Sequence, residues 1–375
     1  MKKITVELAN PYTCLIERGA LRHAGTLAKK YVEEGNRAVI VTTAPIRKHC
    51  GAAVEASLRQ EGVSFHVLEM RDGERYKNLS TVEDLAVRLT QLGADRGTVI
   101  LALGGGVVGD VAGFLAATYM RGISVLQLPT TLVAMIDSAI GGKTGVNLKT
   151  GKNLVGAFHH PCAVLIDPEA LATLPEREYR SGLSEAIKYG IIRQPGLYQL
   201  FEQRGEEIRR REPSVLDPVI ADCVRAKAEI VAADEKESDL RRILNFGHTF
   251  GHALEAATEY RHFLHGEAVA WGMIAACHLA VRLRRLRAET ARTLIQTILK
   301  TARPLPSIPA TASAVLAHTA TDKKMRSGVL HFVLPRDIGT VEIVRNVPAA
   351  AALEAVREII QLSQNSKQMN GQAEL

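Results

Sequence analysis

The first half of the chain alternates short apolar runs with segments of helical spacing. Residues 4–17 predict a strand pair that turns at Asn10-Pro11, and residues 81–92 have helical spacing. The apolar, β-branched runs lie at 36–43, 63–70, 98–103, 124–128 and 163–166. Continuous runs of this kind are typical of parallel strands buried on both faces. The pattern therefore predicts a mostly parallel sheet that binds its ligand at the carboxyl ends of the strands.

From about Pro168 the hydrophobic pattern becomes helical. A β-like stretch at 329–334 and 340–344, around Gly339, interrupts it, and the chain is polar from Ser363. The helical runs are 177–193, 214–236, 244–258, 265–286, 288–302 and 348–363. We therefore predict an α/β N-terminal nucleotide-binding domain with a mostly parallel sheet and a mainly α-helical C-terminal domain that binds metal and substrate. The predicted divisions are residues 1–168, 169–362 and a disordered tail at 363–375.

Composition narrows the class of protein. The chain has 375 residues, 46% of them hydrophobic, and no apolar run long enough to span a bilayer. Its amino terminus lacks the apolar core of a signal peptide, and its five scattered cysteines form no CxxC pair, which indicates reduced thiols and a cytoplasmic protein. The formal net charge is +7. Because the basic residues are dispersed, they favour an anionic small substrate over nucleic acid or a membrane.

Three polar segments follow predicted strands. GGGVVGD at 104–110 precedes an apolar helix, and backbone N–H groups there can cradle a pyrophosphate. A glycine-rich turn without a ligand is an equally good interpretation, since the segment lacks the acidic residue that follows a Rossmann fingerprint. DGERYKN at 72–78 offers Glu74 to a ribose and Lys77 to a phosphate, or is a solvated turn. Thr130 and Thr131 either donate hydroxyls to a ligand or cap a helix.

Residues 135–158 predict a long, ordered, glycine-rich loop. Its polar residues Lys143, Lys152 and Asn153 can bind phosphate or carboxylate oxygens. The alternative is a flexible linker between the domains, although the segment is less polar than such linkers usually are.

Histidines carry the strongest chemical signal. His248 and His252 lie one helical turn apart, on the same predicted helix face as Asn245 and Glu255, and His265 opens the next helical run. Glu185 adds a carboxylate, although an ion pair with Lys188 three residues later explains it equally well. Two imidazoles, one carboxylate and one open position make a divalent-metal site that can polarise a substrate oxygen.

Taken together, these motifs resemble the 3-dehydroquinate synthase family. The resemblance runs from about Asp72 to Lys324 and is carried by GGGVVGD, TYMRG, PTTLVAMIDSAIGGKTGVN, GKNLVGAF, GLSEAIKYG, ILNFGHTFGHALE and HGEAVAWGM. It implies a homodimer with one divalent metal, zinc or cobalt, and one NAD per subunit. It also implies conversion of 3-deoxy-D-arabino-heptulosonate 7-phosphate to 3-dehydroquinate and phosphate, within the shikimate pathway of aromatic amino-acid biosynthesis. The implied steps are transient oxidation by NAD, β-elimination of phosphate, re-reduction, ring opening and aldol closure.

The resemblance also implies roles for individual residues. The metal ligands would be Glu185, His248 and His265, which differs from the pairing of His248 with His252 that spacing suggests. The implied catalytic residues are His252, Glu237, Lys188 and Asp137. The implied substrate contacts are Arg121, Lys143, Asn153, Lys227, Arg241, Asn245, Lys323 and Lys324, with Arg121 reaching the partner subunit's phosphate site. The implied NAD contacts are Asp72, Gly73, Glu74, Arg75, Tyr76, Lys77, Gly105, Gly106, Val107, Val108, Gly109, Asp110, Thr130, Thr131, Lys143, Lys152, Ala170, Leu171, Ala172 and Thr173.

One departure and three alternatives accompany the resemblance. Where the family usually has an acidic residue near the adenosine ribose, this chain reads Thr42-Thr43-Ala44-Pro45, so the adenosine contacts are not assigned. A different sugar phosphate cyclase would share the fold and cofactors. A glycerol dehydrogenase-type enzyme would reduce NAD with net turnover, and a non-catalytic nucleotide sensor would not need the metal constellation.

Overall fold

A computed structural model of the chain describes residues 1–319 and 331–371, with side chains described up to residue 365. The chain divides into two compact units. The first comprises Met1–Pro175 with Ile220–Lys236, and the second comprises Glu176–Val219 with the described residues from Glu237 onward. The predicted division at residue 168 differs from this arrangement, because the chain returns to the first unit at 220–236.

Eleven strands form within these units. They are β1 Lys2–Val6, β2 Tyr12–Ile16, β3 Ala38–Thr43, β4 Phe65–Met70, β5 Val99–Gly104, β6 Ser124–Pro129, β7 Lys143–Leu148, β8 Gly151–Phe158, β9 Ala163–Ile166, β10 His331–Asp337 and β11 Thr340–Arg345. The main sheet has seven strands in the order β1-β2-β9-β6-β5-β3-β4. Only the β1–β2 pair is antiparallel within it, which confirms the mostly parallel sheet and the amino-terminal strand pair.

The central strands explain the continuous apolar runs. Every residue of β3 and of β5 is buried, as expected for parallel strands covered on both faces. The carboxyl ends of β3, β4, β5 and β6 share one edge of the sheet.

The helices begin and end at the following residues. They are α1 Ala24–Ala28, α2 Ala44–Ile46, α3 Ala52–Gln60, α4 Leu79–Gln91, α5 Gly106–Thr118, α6 Glu176–Ile192, α7 Pro195–Arg209, α8 Pro213–Ala233, α9 His248–Ala257, α10 His265–Arg282, α11 Ala288–Ala302, α12 Ala312–Thr319 and α13 Ala349–Gly371. The predicted helices at 81–92, 177–193, 265–286 and 288–302 correspond to α4, α6, α10 and α11. Within residues 1–319 and 331–371, no helix is both long and apolar enough to cross a membrane.

The segment predicted as a loop over 135–158 is instead a β-hairpin for most of its length. β7 and β8 pair antiparallel, with Gly145 opposite Gly156. A Cβ on Gly156 would lie 2.2 Å from Thr144 O, so the two strands approach closely at the glycine pair. The loop prediction is wrong because a glycine- and lysine-rich segment carries little strand propensity of its own, and pairing supplies the order.

The carboxyl-terminal tail also differs from the prediction. Residue 363 lies inside α13, which continues to Gly371. The hydroxyl of Ser363 is buried, where it accepts a hydrogen bond from Ile308 N at 3.1 Å and donates one to Ile360 O at 2.7 Å. At this point the polar sequence therefore forms part of a helix and is not a frayed tail.

Candidate active site

Three helices of the second unit meet through glycines. Gly266, in the first turn of α10, donates its N–H to Ser181 Oγ of α6 at 3.0 Å. A Cβ at this position would lie only 1.9 Å from Ser181 O. The lack of a side chain therefore allows the start of α10 to contact α6 directly, one turn before Glu185.

The helices α9 and α10 approach each other in the same way. A Cβ on Gly272 would lie 1.9 Å from Gly247 O, and a Cβ on Gly251 would lie 3.1 Å from Ala268 O. Gly247 has φ +80°, a left-handed conformation that favours glycine, and it stands immediately before α9. Because α9 begins at His248, the predicted start at residue 244 is wrong. Asn245 lies in the preceding 3-10 turn and not on the helix face with His248.

These contacts bring three of the predicted site residues together. Glu185 Oε1 lies 3.6 Å from His248 Nε2 and 3.6 Å from His265 Nε2. One ligand atom from each of the three residues lies within 4.8 Å of the others. Two imidazole nitrogens and a carboxylate oxygen around one point match a divalent-metal site with a position left for substrate.

The hydrogen bonds of both rings suit this role. His248 Nδ1 lies 3.1 Å from Phe246 O, and His265 Nδ1 lies 3.4 Å from Glu255 Oε2. If each Nδ1 carries the proton, both Nε2 lone pairs are left to face Glu185, which is how proteins usually orient metal-binding histidines.

The surroundings of Glu185 show whether these residues suit a bound divalent cation. Its side chain is fully buried, and within the described part of the chain no donor makes a hydrogen bond of good geometry to either carboxylate oxygen. Lys188, also fully buried, forms an ion pair with Oε2, so the ion pair expected from spacing is present. Burying a carboxylate costs free energy unless charge and hydrogen bonds compensate it. A cation bound at Oε1 would supply that compensation, and the residues therefore fit a divalent metal.

His252 belongs to a second, overlapping group. His252, Glu255 and His265 also offer ligand atoms within 4.8 Å of one another. The His252 ring centroid lies 5.5 Å from that of His248 and 5.7 Å from that of His265. Among the described residues, no group of candidate ligands contains both His248 and His252. The pairing suggested by spacing is therefore not the one that the geometry favours.

Three further predicted site residues of the second unit precede α9 in the chain: Glu237, Arg241 and Asn245. Arg241 is 1% exposed and lies in the 3-10 turn Leu240–Asn245. Asn245 Nδ2 donates to Glu237 Oε1 at 3.1 Å, and Glu237 has a left-handed φ of 57°. Strain of this kind in a residue other than glycine is common near functional sites. The predicted substrate contacts Lys323 and Lys324 lie outside the described residues.

In the first unit, the glycine-rich turn leads from β5 into α5. Gly105 precedes the helix, whose amino end makes no side-chain capping hydrogen bond to that residue. Added Cβ atoms would lie 2.5 Å from Val108 Cβ at Gly104, 2.9 Å from Thr131 Cγ2 at Gly105 and 2.9 Å from Gln127 Oε1 at Gly109. Packing therefore explains these glycines by itself, while the half-buried helix N-terminus remains compatible with a phosphate.

Lys77 connects the predicted nucleotide segments. Its side chain is 6% exposed and donates to Asp110 of α5 and, at 2.6 Å, to Asn153 Oδ1 of β8. Burial raises the pKa of Asp110, and the positive charge of Lys77 opposes that shift. Glu74 Oε1 accepts from Asn147 Nδ2 at 2.8 Å. The 72–78 segment is therefore joined to α5 and to the β7–β8 hairpin.

Three other predicted site residues of the first unit each have a different environment. Asp137 forms an ion pair with Lys227, which lies in the part of α8 that belongs to the first unit. Thr131 Oγ1 accepts from Ala134 N at 3.3 Å, so it caps the following turn. Arg121 is exposed and has a left-handed φ of 68°, next to Met120 at 51°.

The hydroxyls of Thr42 and Thr43, at the end of β3, are buried and have no hydrogen-bond partner in the described chain. The remaining predicted nucleotide contacts include Ala170, Leu171, Ala172 and Thr173, which lie in the 3-10 turn Pro168–Thr173.

Sequence reasoning missed the residues that hold these segments in place. Asp167 is buried and accepts hydrogen bonds from Gly19 N, Leu21 N and Glu169 N, which anchors the 168–173 turn. Spacing places Glu255 on the histidine face but gives it no role. Its contact with His265 depends on how two helices pack, which spacing along one helix does not show.

Two family profiles match consecutive parts of the chain. The profile described as 3-dehydroquinate synthase N-terminal matches residues 67–181, and the profile described as 3-dehydroquinate synthase C-terminal matches residues 182–325. A 3-dehydroquinate synthase of Koribacter versatilis is 51% identical over 94% of this chain and 96% of its own length. One of Solibacter usitatus is 49% identical over 93% of this chain and 96% of its own length.

Solved structures agree with this assignment. A 2-epi-5-epi-valiolone synthase of Streptomyces hygroscopicus, with NAD⁺ and Zn²⁺ bound, has a TM-score of 0.87 and 30% identity, covering 95% of this chain and 98% of that one. A 2-deoxy-scyllo-inosose synthase, complexed with carbaglucose-6-phosphate, NAD⁺ and Co²⁺, has a TM-score of 0.81 and 27% identity, covering 95% of this chain and 99% of that one. The fold is thus that of the dehydroquinate synthase-like cyclases, a class of enzymes of which these two bind NAD⁺ and a divalent metal. Within that class, the chain belongs to the 3-dehydroquinate synthase family.

Proposed function

We propose that this chain converts 3-deoxy-D-arabino-heptulosonate 7-phosphate to 3-dehydroquinate and phosphate. Bound NAD would supply a transient hydride acceptor, and a bound divalent cation would polarise a substrate hydroxyl. The reaction has no net redox change, because the electrons removed from the carbinol return after phosphate has left, so the enzyme is a lyase. The observation that carries the proposal is the buried carboxylate of Glu185, which faces the Nε2 atoms of two histidines.

Glu185, His248 and His265 would hold the cation, which we propose to be zinc or cobalt. Imidazole nitrogen and carboxylate oxygen suit both ions. One cyclase of the same fold was solved with Zn²⁺ and another with Co²⁺. His252, adjacent to both histidine rings, would transfer protons and contact the phosphate.

Buried positive charge in the second unit would hold the anionic substrate. Lys188 and Arg241 are each less than 2% exposed, so their positive charges lie away from solvent, where attraction to an anionic group is stronger than in water. Asn245 would orient a substrate oxygen, with Glu237 as a second acid or base. The family resemblance also implies that Asp137, Lys143, Asn153 and Lys227 bind substrate oxygens.

The NAD would lie on the first unit, at the carboxyl edge of the sheet. The start of α5 offers backbone N–H groups to a pyrophosphate. Lys77 and Lys152 would bind phosphate oxygens, Glu74 a ribose, and Thr130 and Thr131 further polar groups. The connection of Lys77 to Asp110 and Asn153 supports a preorganised site.

We further propose that the enzyme is a cytoplasmic homodimer. All five cysteines are free thiols, which is the usual state in a reducing compartment. The exposed Arg121, held in a left-handed turn, suits a residue that reaches the partner's phosphate site. Sedimentation or light scattering would measure the mass, and a purely monomeric active enzyme would contradict the dimer.

The decisive experiment measures phosphate release from the heptulosonate phosphate with NAD and metal supplied. We expect His248→Ala to abolish metal binding and turnover while the fold survives, because the ring contributes one ligand. His49→Ala, at an exposed position, is the control and should retain both. Normal turnover by metal-stripped His248→Ala protein would contradict the proposed metal site.

A second candidate is a cyclase acting on another phosphorylated sugar. The 30% identity to a 2-epi-5-epi-valiolone synthase supports this second candidate. Parallel assays with heptulosonate and sedoheptulose 7-phosphates would separate the two, and release only from the latter would overturn the first proposal. Steady accumulation of NADH would instead indicate a dehydrogenase.

A further inference from the structure

Glu255 is a buried carboxylate in an unfavourable position. It lies in the last turn of α9, and its side chain is 4% exposed. The carboxyl end of a helix carries partial negative charge, so it disfavours an anion there. Burial adds a further cost unless a donor compensates it. His265 Nδ1, 3.4 Å from Glu255 Oε2, is such a donor when it carries the ring proton.

The ring of His265 stands between two carboxylates. Its Nε2 lies 3.6 Å from Glu185 Oε1, while its Nδ1 faces Glu255. A neutral imidazole has one protonated nitrogen and one lone pair. His265 can therefore bind an ion through Nε2 with Glu185, or through Nδ1 with Glu255, but not through both.

Two observations favour binding through Nε2. His248 has its Nδ1 against Phe246 O, which leaves Nε2 for the side of Glu185. Neither oxygen of Glu185 accepts a hydrogen bond from any described residue. Lys188 pairs with Oε2, so Oε1, which faces both Nε2 atoms, is the oxygen that a bound cation would compensate. Glu255 would then accept the Nδ1 proton of His265.

We propose that Glu255 is a positioning residue that selects the metal-binding tautomer of His265. By accepting a hydrogen bond from Nδ1, it holds the ring with Nε2 toward Glu185 and increases the basicity of that nitrogen. It also prevents His265 from joining the alternative group with His252. This inference rests on the proposed metal site and adds a residue outside the ligand set.

The test compares metal affinity in Glu255→Gln and Glu255→Leu, measured by competition with a chromogenic chelator at one pH. Loss of a partner behind a metal-binding histidine typically weakens binding about 10- to 100-fold. We expect Gln, which keeps an acceptor oxygen, to lie near the lower figure and Leu near the higher. Both should still bind one ion per chain, since all three ligands remain. The Co²⁺-loaded variants should also show a changed visible absorption spectrum, which a purely structural role would leave unchanged.

Glu358→Gln is the matched control. Glu358 Oε2, on α13, lies 2.5 Å from Nδ1 of His278, which is on α10 like His265, so the two form a carboxylate–imidazole pair outside the candidate ligand groups. Its removal should leave the metal dissociation constant unchanged, even where thermal unfolding shifts. If Glu255→Leu fails to fold, the comparison of Gln with the control still decides.

The outcomes separate the two proposals. An unchanged dissociation constant and Co²⁺ spectrum in folded Glu255→Gln protein would overturn the positioning role. Loss of stoichiometric binding in that variant, with retention in Glu185→Gln, would make Glu255 a ligand and overturn it as well. Failure of the unmodified chain to bind metal or release phosphate would instead refute the proposed function.

Discussion

Gly272→Ala tests whether the close approach of α9 and α10 creates the histidine cluster. The added methyl would lie 1.9 Å from Gly247 O and 2.8 Å from Gly251 N. Favourable contact requires roughly 3.5 Å, so the nearer atom is about 1.6 Å too close. Both blocking atoms belong to the backbone, and no side-chain rotation relieves the overlap. The two helices must therefore move apart.

The expected magnitude differs between folding and metal binding. Overpacking of this kind costs about 1–3 kcal/mol, and alanine returns about 1 kcal/mol of helix propensity. The free energy of unfolding should thus fall by up to about 2 kcal/mol. Metal binding should suffer more, because ligand distances tolerate only about 0.2 Å. A shift of α9 against α10 moves His248 relative to His265, and we expect an affinity loss of roughly tenfold or more.

Urea unfolding and chelator competition on the same protein would measure both effects. Gly205→Ala, in α7 of the same unit, is the control because its Cβ would meet open space. It should bind metal normally and be as stable as the unmodified chain, or up to about 1 kcal/mol more stable. If Gly272→Ala matched this control in both measurements, the close approach would not be what positions the two histidines.

Three further predictions concern other parts of the molecule. Gly113→Ala should weaken NAD binding and lower stability, since its Cβ would lie 2.5 Å from Thr144 Cγ2; adding Thr144→Ser removes that methyl and should restore part of both in titration and melting experiments. Lys77→Met should cost about 3 kcal/mol at neutral pH, because the partly buried carboxylate of Asp110 loses its counter-charge. The pKa of Asp110, already raised by burial, should rise further, so the deficit should shrink as pH falls and Asp110 takes up its proton; a pH-independent deficit in denaturant titrations would contradict this. Burial raises the pKa of Cys277 to about 12, so a thiol reagent should label it at pH 9 only after unfolding, and rapid labelling of the folded protein would refute the burial.

Local pattern predicted much of the architecture for a clear reason. A parallel strand covered on both faces must be apolar at consecutive positions, and β3 and β5 have that pattern and that burial. The helices α6, α10 and α11 are likewise predicted by the spacing of apolar residues within their own sequences. Long-range features did not follow from such patterns. The β7–β8 hairpin depends on pairing between glycine-rich strands, and the return of residues 220–236 to the first unit depends on contacts distant along the chain.

The candidate site shows the same division. By itself, the sequence determined the chemical inventory: histidines one turn apart, a third at the start of the next helix, an earlier glutamate, and glycines whose cost required close packing. Residue spacing left the pairing of the histidines open and the resemblance implied Glu185 with His248 and His265. Only the tertiary structure shows those three side chains together, with His252 in a second group with Glu255. Helical periodicity specifies which residues share a face of one helix. It does not specify where another helix crosses that face, which here depends on backbone contacts at Gly266 and Gly272.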